Sequence, residues 1–310
     1  MTKALINALE IGVPLYVPGD HPRLGDTISG AKCTGAGCIF VCLEDALRFE
    51  RSRYGEERLL EVLKTQPTPL SLPVFCRPRD LDQLARLADS PFSVHLAGFV
   101  LPKVSPESWE RSVELTNRHG GWLIPILETA MVFRPSKLEA MLDSFLASKD
   151  RLLAARMGGT DLAGLLGTRR AQNISSHHGP IGSSLAFASS MLKSHGISVS
   201  GVVFEHLEDF EGLAKEAVKD AAGGLIPKAA VHPDQVEVII AAYRVHASDA
   251  ERAKEILASD APAVFRSNGV MAEPASHAPW ARTIIERQRI FGSIPILAEA
   301  NDRHPIAPTQ

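Results

Sequence analysis

Residues 38–45 read CIFVCLED: six residues suited to a buried β-strand, followed at once by Glu44 and Asp45. A continuous short apolar run without alternation reads as a strand buried on both faces, as in a parallel sheet. Two adjacent carboxylates at its tip have two explanations. Either the strand simply reaches the surface there, or it opens on a pocket where negative charge is used. The ends of other strands decide between them.

Seven further runs resemble this one: PLYVPG near residue 15, SLPVFCR at 71, HLAGFVLPK at 95, GWLIPILET at 121, RLLAARMGGTD at 151, ISVSGVVFE at 197 and GGLIPKAAVHP at 223. Most intervals are about 24 to 33 residues, the length consumed by a strand, a helix and two loops. Between the runs the apolar period becomes helical: Leu81, Leu84 and Leu87 share a face, and Ser105 with Pro106 offers an N-cap and N1 pair. Eight such units predict an α/β fold, a (β/α)8 TIM barrel, over residues 1–245. Pro102, Pro125 and Pro227 lie inside the assigned strands and count against them, since each removes a ladder donor. The longest interval holds RRAQNISSHHGPIG, either a loop overlying a site or a surface insertion. Residues 246–310, beginning with the capping box Ser248-x-x-Glu251, read as a C-terminal helical extension, longer than barrel closure needs.

The 310 residues are 45% hydrophobic with a formal net charge of −3, enough for a large core and without the basic blocks of a nucleic-acid or membrane-surface binder. No stretch approaches the roughly 18 apolar residues of a membrane span, and no signal pattern opens the chain. The expected location is cytoplasmic and the expected partner a small molecule. Cys33, Cys38, Cys42 and Cys76 form no C-x-x-C pair and read as reduced thiols in apolar surroundings.

In a barrel of this kind chemistry gathers at the C-terminal strand ends. Standing there are Asp20 and His21, Glu44 and Asp45, Arg77, Lys103, Glu128, Asp161, Glu205 and the stretch from Lys228 to His232. Several acids among cations on one face suit an anionic substrate held through a divalent cation. Glu128 and Asp161 end successive strands, and two carboxylates with room for water and substrate oxygens suit Mg2+. Both positions equally suit helix caps. Gly158 and Gly159 allow a ligand close to the backbone. Arg77 reads as a pocket or a surface residue, His232 as a helix-entry histidine and His177 and His178 as polar loop.

The motifs LYVPGDHPRL, VCLEDAL, GFVLPKV, LIPILETA, MGGTDLAGLLG and KAAVHPDQV, in this order over about residues 13–275, resemble the HpcH/HpaI aldolase and citrate lyase β-subunit-like family. The resemblance implies a Mg2+-dependent barrel lyase that makes or breaks a carbon–carbon bond through an enolate, commonly on acyl-CoA thioesters. It implies Glu128 and Asp161 as metal ligands, with Glu44 and Asp45 binding the metal's waters. Arg77, Lys103, Gly158 and Gly159 would hold the substrate. Catalytic roles fall to Arg77, to Asp45 and to Glu273 of NGVMAEP, the last reaching a neighbouring subunit's site in a homotrimer or hexamer. His21 stands where many relatives carry Arg, and FCRPRD replaces VRVN, so a free hydroxy-keto or sugar-derived acid is the alternative substrate. A non-catalytic binding subunit is the other.

Overall fold

The computed structural model describes residues 7–30, 35–67 and 70–294. Cys33 falls outside them. Strands form where the short apolar runs were read: β1 (Pro14–Pro18), β2 (Cys38–Cys42), β3 (Val74–Arg77), β4 (Gly98–Leu101), β5 (Trp122–Leu127), β6 (Ala155–Met157) and β7 (Val199–Ser200). They pair in chain order in one sheet, every pair parallel. Parallel neighbours need a crossover, and the helices supply it. These are α1 (Leu24–Ile28), α2 (Ser52–Thr65), α3 (Leu81–Asp89), α4 (Pro106–Leu115), α5 (Pro135–Ala147), α6 (Gly159–Leu165), α7 (Gly179–Ser194), α8 (Phe210–Ala222) and α9 (Gln235–Tyr243).

The eighth run is not a regular strand. Ile226 bridges Ser200, and Ala230 bridges Leu15, so the segment still joins β7 to β1 and closes the barrel. Pro227 explains the interruption, because it can donate nothing to either neighbour. Pro102 instead lies just beyond β4, whereas Pro125 is tolerated within β5 opposite Leu101.

Alternation along the strands sorts side chains between two faces. Cys38, Phe40, Phe75, Val100, Ile124, Ile126 and Ile226 belong to one buried cluster, against which Tyr16 and Trp122 pack. Tyr16, Phe40 and Phe75 stack edge-on in sequence, with ring centroids 5.3 and 5.5 Å apart, the geometry aromatic quadrupoles favour. The helix starts are capped locally: Asp80 accepts from Gln83 N on α3, and Ser105 and Ser108 cap each other reciprocally on α4.

The chain divides into two units, Met1–Ile239 and Ile240–Gln310. The second contains α10 (Ala247–Leu257) and α11 (Pro274–Phe291) around Val245, Ala253, Ile256, Ala272, Ala281 and Ile284. The expected helical extension is there in α10 and α11, and short strands accompany it: β8 (Val245–His246) pairs with β11 (Ser293–Ile294), and β9 (Phe265–Ser267) forms a hairpin with β10 (Val270–Ala272). One expectation for it needs correction. Ser248 is not the cap of α10, which begins one residue earlier with His246 at the N-cap and no side-chain cap bond. Asp249 pairs there with Arg252 at 2.8 Å instead.

Candidate active site

The same alternation that fills the barrel delivers charge to its mouth. Phe75 faces the interior, so Arg77, two residues on, shares that face at the end of β3; Ile126 and Glu128 repeat the pattern on β5. Phe40, Cys42 and Glu44 keep the same parity on β2 until the chain turns at Asp45. Each strand runs out of apolar residues at the level where its neighbours do.

At that level Arg77 Nη2 lies 2.5 Å from Glu44 Oε2, 3.1 Å from Asp45 Oδ2 and 3.4 Å from Glu128 Oε1. Lys103 Nζ pairs with Glu44 and stands 3.4 Å from Asp45 Oδ1 and 3.8 Å from Asp161 Oδ1. The backbone of Lys103 takes φ 49°, left-handed for a residue with a side chain, and its N–H donates to Glu128 Oε1 at 2.8 Å. Gly158 completes the seat of Glu128. A Cβ there would lie 2.3 Å from Glu128 Cβ and 2.4 Å from its Oε2.

Burial pushes the Glu128 carboxyl up to about 7, against the pull of Arg77 and with the help of the Asp161 charge. Burial raises Glu44 too. Burial would also raise Asp45, but the hydrogen bond with Glu44 and the charges of Arg77 and Lys103 outweigh it and hold Asp45 low. Arg77, although desolvated, is driven further toward its charged form by the acids around it. Its Nε is buried and has no hydrogen-bond partner among the described residues.

Asp45, Arg77, Glu128, Gly158, Gly159 and Asp161 line a cavity of about 190 Å³, while Glu44 and Lys103 stand behind them as ion-pair partners. Tyr16 and Arg156 line it as well, and the strand-end reading missed both because they lie inside strands. A charged residue in the middle of a buried run, as in AARMGG, was the available signal for Arg156, whose guanidinium lies 5.3 Å from the Phe40 ring centroid.

Other strand-end residues lie elsewhere. Asp20 pairs with Arg51 at 3.1 Å, and His21 Nδ1 accepts from Arg23 N. His232 stands 3.5 Å from Asp234 on the exposed side of its loop. Glu205 pairs with Arg170 at 2.6 Å and accepts from Thr160 Oγ1 at 3.1 Å. Lys228 is wholly buried against Glu216 and Asp220. Glu273 belongs to the second unit, at the N-cap of α11, where its Oε2 accepts from Ser276 Oγ at 3.0 Å.

No group of three or more His, Cys, Asp and Glu side chains poised for a metal occurs among the described residues. Glu128 and Asp161 nevertheless border one cavity as an all-oxygen pair, backed by glycine rather than side chains. That donor set fits Mg2+, which keeps several waters and takes one or two carboxylates.

The chain is 26% identical over 259 residues to a (3S)-malyl-CoA thioesterase of Cereibacter sphaeroides, spanning 83% of this chain and 85% of the relative. Its fold is similar to that of CitE from Mycobacterium tuberculosis, solved with magnesium, acetoacetate and coenzyme A. The TM-score is 0.65 at 22% identity, over 90% of this chain and 98% of that one. RipC from Yersinia pestis is also similar, with a TM-score of 0.59 at 20% identity over 76% of this chain and 96% of that one. Residues 5–293 match the family described as C–C bond lyase of the TIM-barrel fold, and the chain belongs to that family.

Proposed function

We propose that the protein is a Mg2+-dependent lyase that cleaves or forms a carbon–carbon bond in a hydroxy-acid thioester of coenzyme A. The observation carrying this reading is the convergence of Glu128, Asp161 and the buried Arg77 on one cavity. Glu128 and Asp161 would hold the cation, which when bound supplies Lewis-acid stabilisation of charge developing on a substrate oxygen.

The chain's own residues do the rest. Lys103 N–H fixes one oxygen of Glu128, Oε1, and the other lies against Gly158. Arg77, with its unpaired Nε, presents a buried donor to a carboxylate or enolate oxygen. Asp45, kept ionised and half exposed at the cavity edge, is placed to accept the hydroxyl proton as the carbon–carbon bond breaks.

The relative in Cereibacter sphaeroides favours a second reading, hydrolysis of the thioester. Malyl-CoA with Mg2+ separates the two: a lyase yields acetyl-CoA and glyoxylate, a thioesterase consumes water and yields malate and free CoA. Carbon–carbon cleavage lost in Glu128→Gln and Asp161→Asn is the expected result. Malate and CoA as the only products would replace the lyase with the thioesterase. Turnover unaffected by chelation would remove the cation from the reaction.

A further inference from the structure

A second cavity, of about 260 Å³, lies beside the one just described and shares Gly159 as a wall. Its surface is largely apolar, from Ala163, Ile174, Pro180, Ile181 and Val202. The two cavities are further tied through Glu205, which lines the second and accepts from Thr160, a lining residue of the first. Only a glycine fits between them, because a Cβ on Gly159 would stand 2.9 Å from Val202 Cβ and Cγ1.

The outer wall is the 166–178 segment, from the polar stretch that stood out in the sequence. Such a loop is normally mobile, but buried charge fastens this one at three points. Arg170 Nη1 reaches Glu216 Oε2 at 2.8 Å, Ser176 N donates to the same oxygen at 2.6 Å, and His177 Nε2 meets Asp220 Oδ1 at 2.7 Å. Glu216 and Asp220 are wholly buried on α8. The wall is therefore set before anything binds, which lowers the ordering cost of a ligand.

We propose that this cavity binds the distal chain of the substrate acid, an apolar segment extending beyond the reacting carbons. The proposal rests on the lyase reading, with the acid's carboxylate at Arg77 and its chain passing Gly159. It makes the enzyme one for a 2-oxo or 2-hydroxy acid longer than pyruvate.

Calorimetric titration of the full chain with 2-oxo acids and Mg2+ tests this without requiring turnover. Burying one methylene strengthens binding roughly fourfold. With three more methylenes than pyruvate, 2-oxohexanoate is expected to bind at least about tenfold tighter. Ala163→Phe, which fills the cavity from α6, and Ala171→Trp, which fills it from the exposed loop, should each erase that advantage and leave pyruvate affinity unchanged. Pyruvate binding with no gain for the longer acids overturns the proposal and leaves the lyase reading standing, as does an advantage that survives both filling variants. No binding of any acid in the presence of Mg2+ overturns both.

Discussion

Arg77 meets three carboxylates through one terminal nitrogen, Nη2, and its planar guanidinium keeps Nε as a further donor. An ammonium keeps the charge on a single nitrogen, which cannot serve the three carboxylates and the substrate together. We predict that Arg77→Lys lowers kcat/KM by about ten- to a hundredfold, corresponding to the roughly 1.5–3 kcal/mol of a hydrogen bond to a charged group. Steady-state kinetics within about twofold of the parent would remove Arg77 from the reaction. Gly158→Ala tests the other side of the site. Its φ of −91° suits any residue, so the whole cost is steric and falls on Glu128. Overpacking of this kind costs about 1–3 kcal/mol, and we predict a lower Tm together with Mg2+ affinity reduced about tenfold or more. Mg2+ titration showing parental affinity would contradict it. At this scale strand-end counting was informative: Asp45, Arg77, Glu128 and Asp161 line one cavity, and Glu44 and Lys103 are ion-paired to them. It could not separate them from Asp20, Glu205 and His232, because which end residue turns inward depends on parity within each strand and on the turn that follows.

Among the elements, α8 carries the clearest energetic consequence. Glu216 and Asp220, one turn apart, meet Lys228 from the broken eighth segment and Arg170 and His177 from the loop. Burial alone would raise Glu216, but Lys228 and Arg170 outweigh it and bring its carboxyl down to about 2. A carboxyl lowered on folding stabilises the protein above its unfolded value near 4.5, and that contribution drains away as pH falls toward 2. The contribution is on the order of 3 kcal/mol. Lys228→Met leaves two buried carboxylates short of a cation; we predict a loss of about 3–5 kcal/mol in chemical denaturation. A loss below about 1 kcal/mol would mean that Arg170 alone compensates. Sequence reading placed Lys228 at a strand end but could not see its partners, which lie on a helix whose inward face only the packing reveals. The hairpin of the second unit was more legible than the helical reading allowed. Asn268 and Gly269, both at positive φ, are the pair that a tight two-residue turn demands.

For the molecule as a whole, the barrel followed from the even spacing of the apolar runs, the eighth included; what the spacing did not show is that Pro227 reduces that run to two isolated bridges. The second unit presents exposed Val264, Val270, Met271 and Trp280. We propose that these apolar side chains pack on another subunit in a trimer or hexamer, with Glu273 contributing to the neighbour's reaction. Mixing inactive Glu273→Ala and Asp161→Ala subunits should then restore part of the activity. A monomer by light scattering, or verified mixed oligomers without recovery, would end that idea.

The interrupted eighth segment also sets how the barrel breathes. Along the seam the described backbone bonds are Ile226 N to Val199 O, Tyr16 N to Ala230 O and Ala230 N to Pro14 O, at 2.8–2.9 Å. Between β1 and β2, by contrast, five residue pairs are in register. Opening the seam therefore breaks fewer bonds than parting β1 from β2, and local opening free energies follow such differences. In deuterium exchange followed by mass spectrometry, the amides of Tyr16, Ile226 and Ala230 are expected to label well before those of Ile39 and Val41. Equal protection across both would show that the ring yields only as one piece.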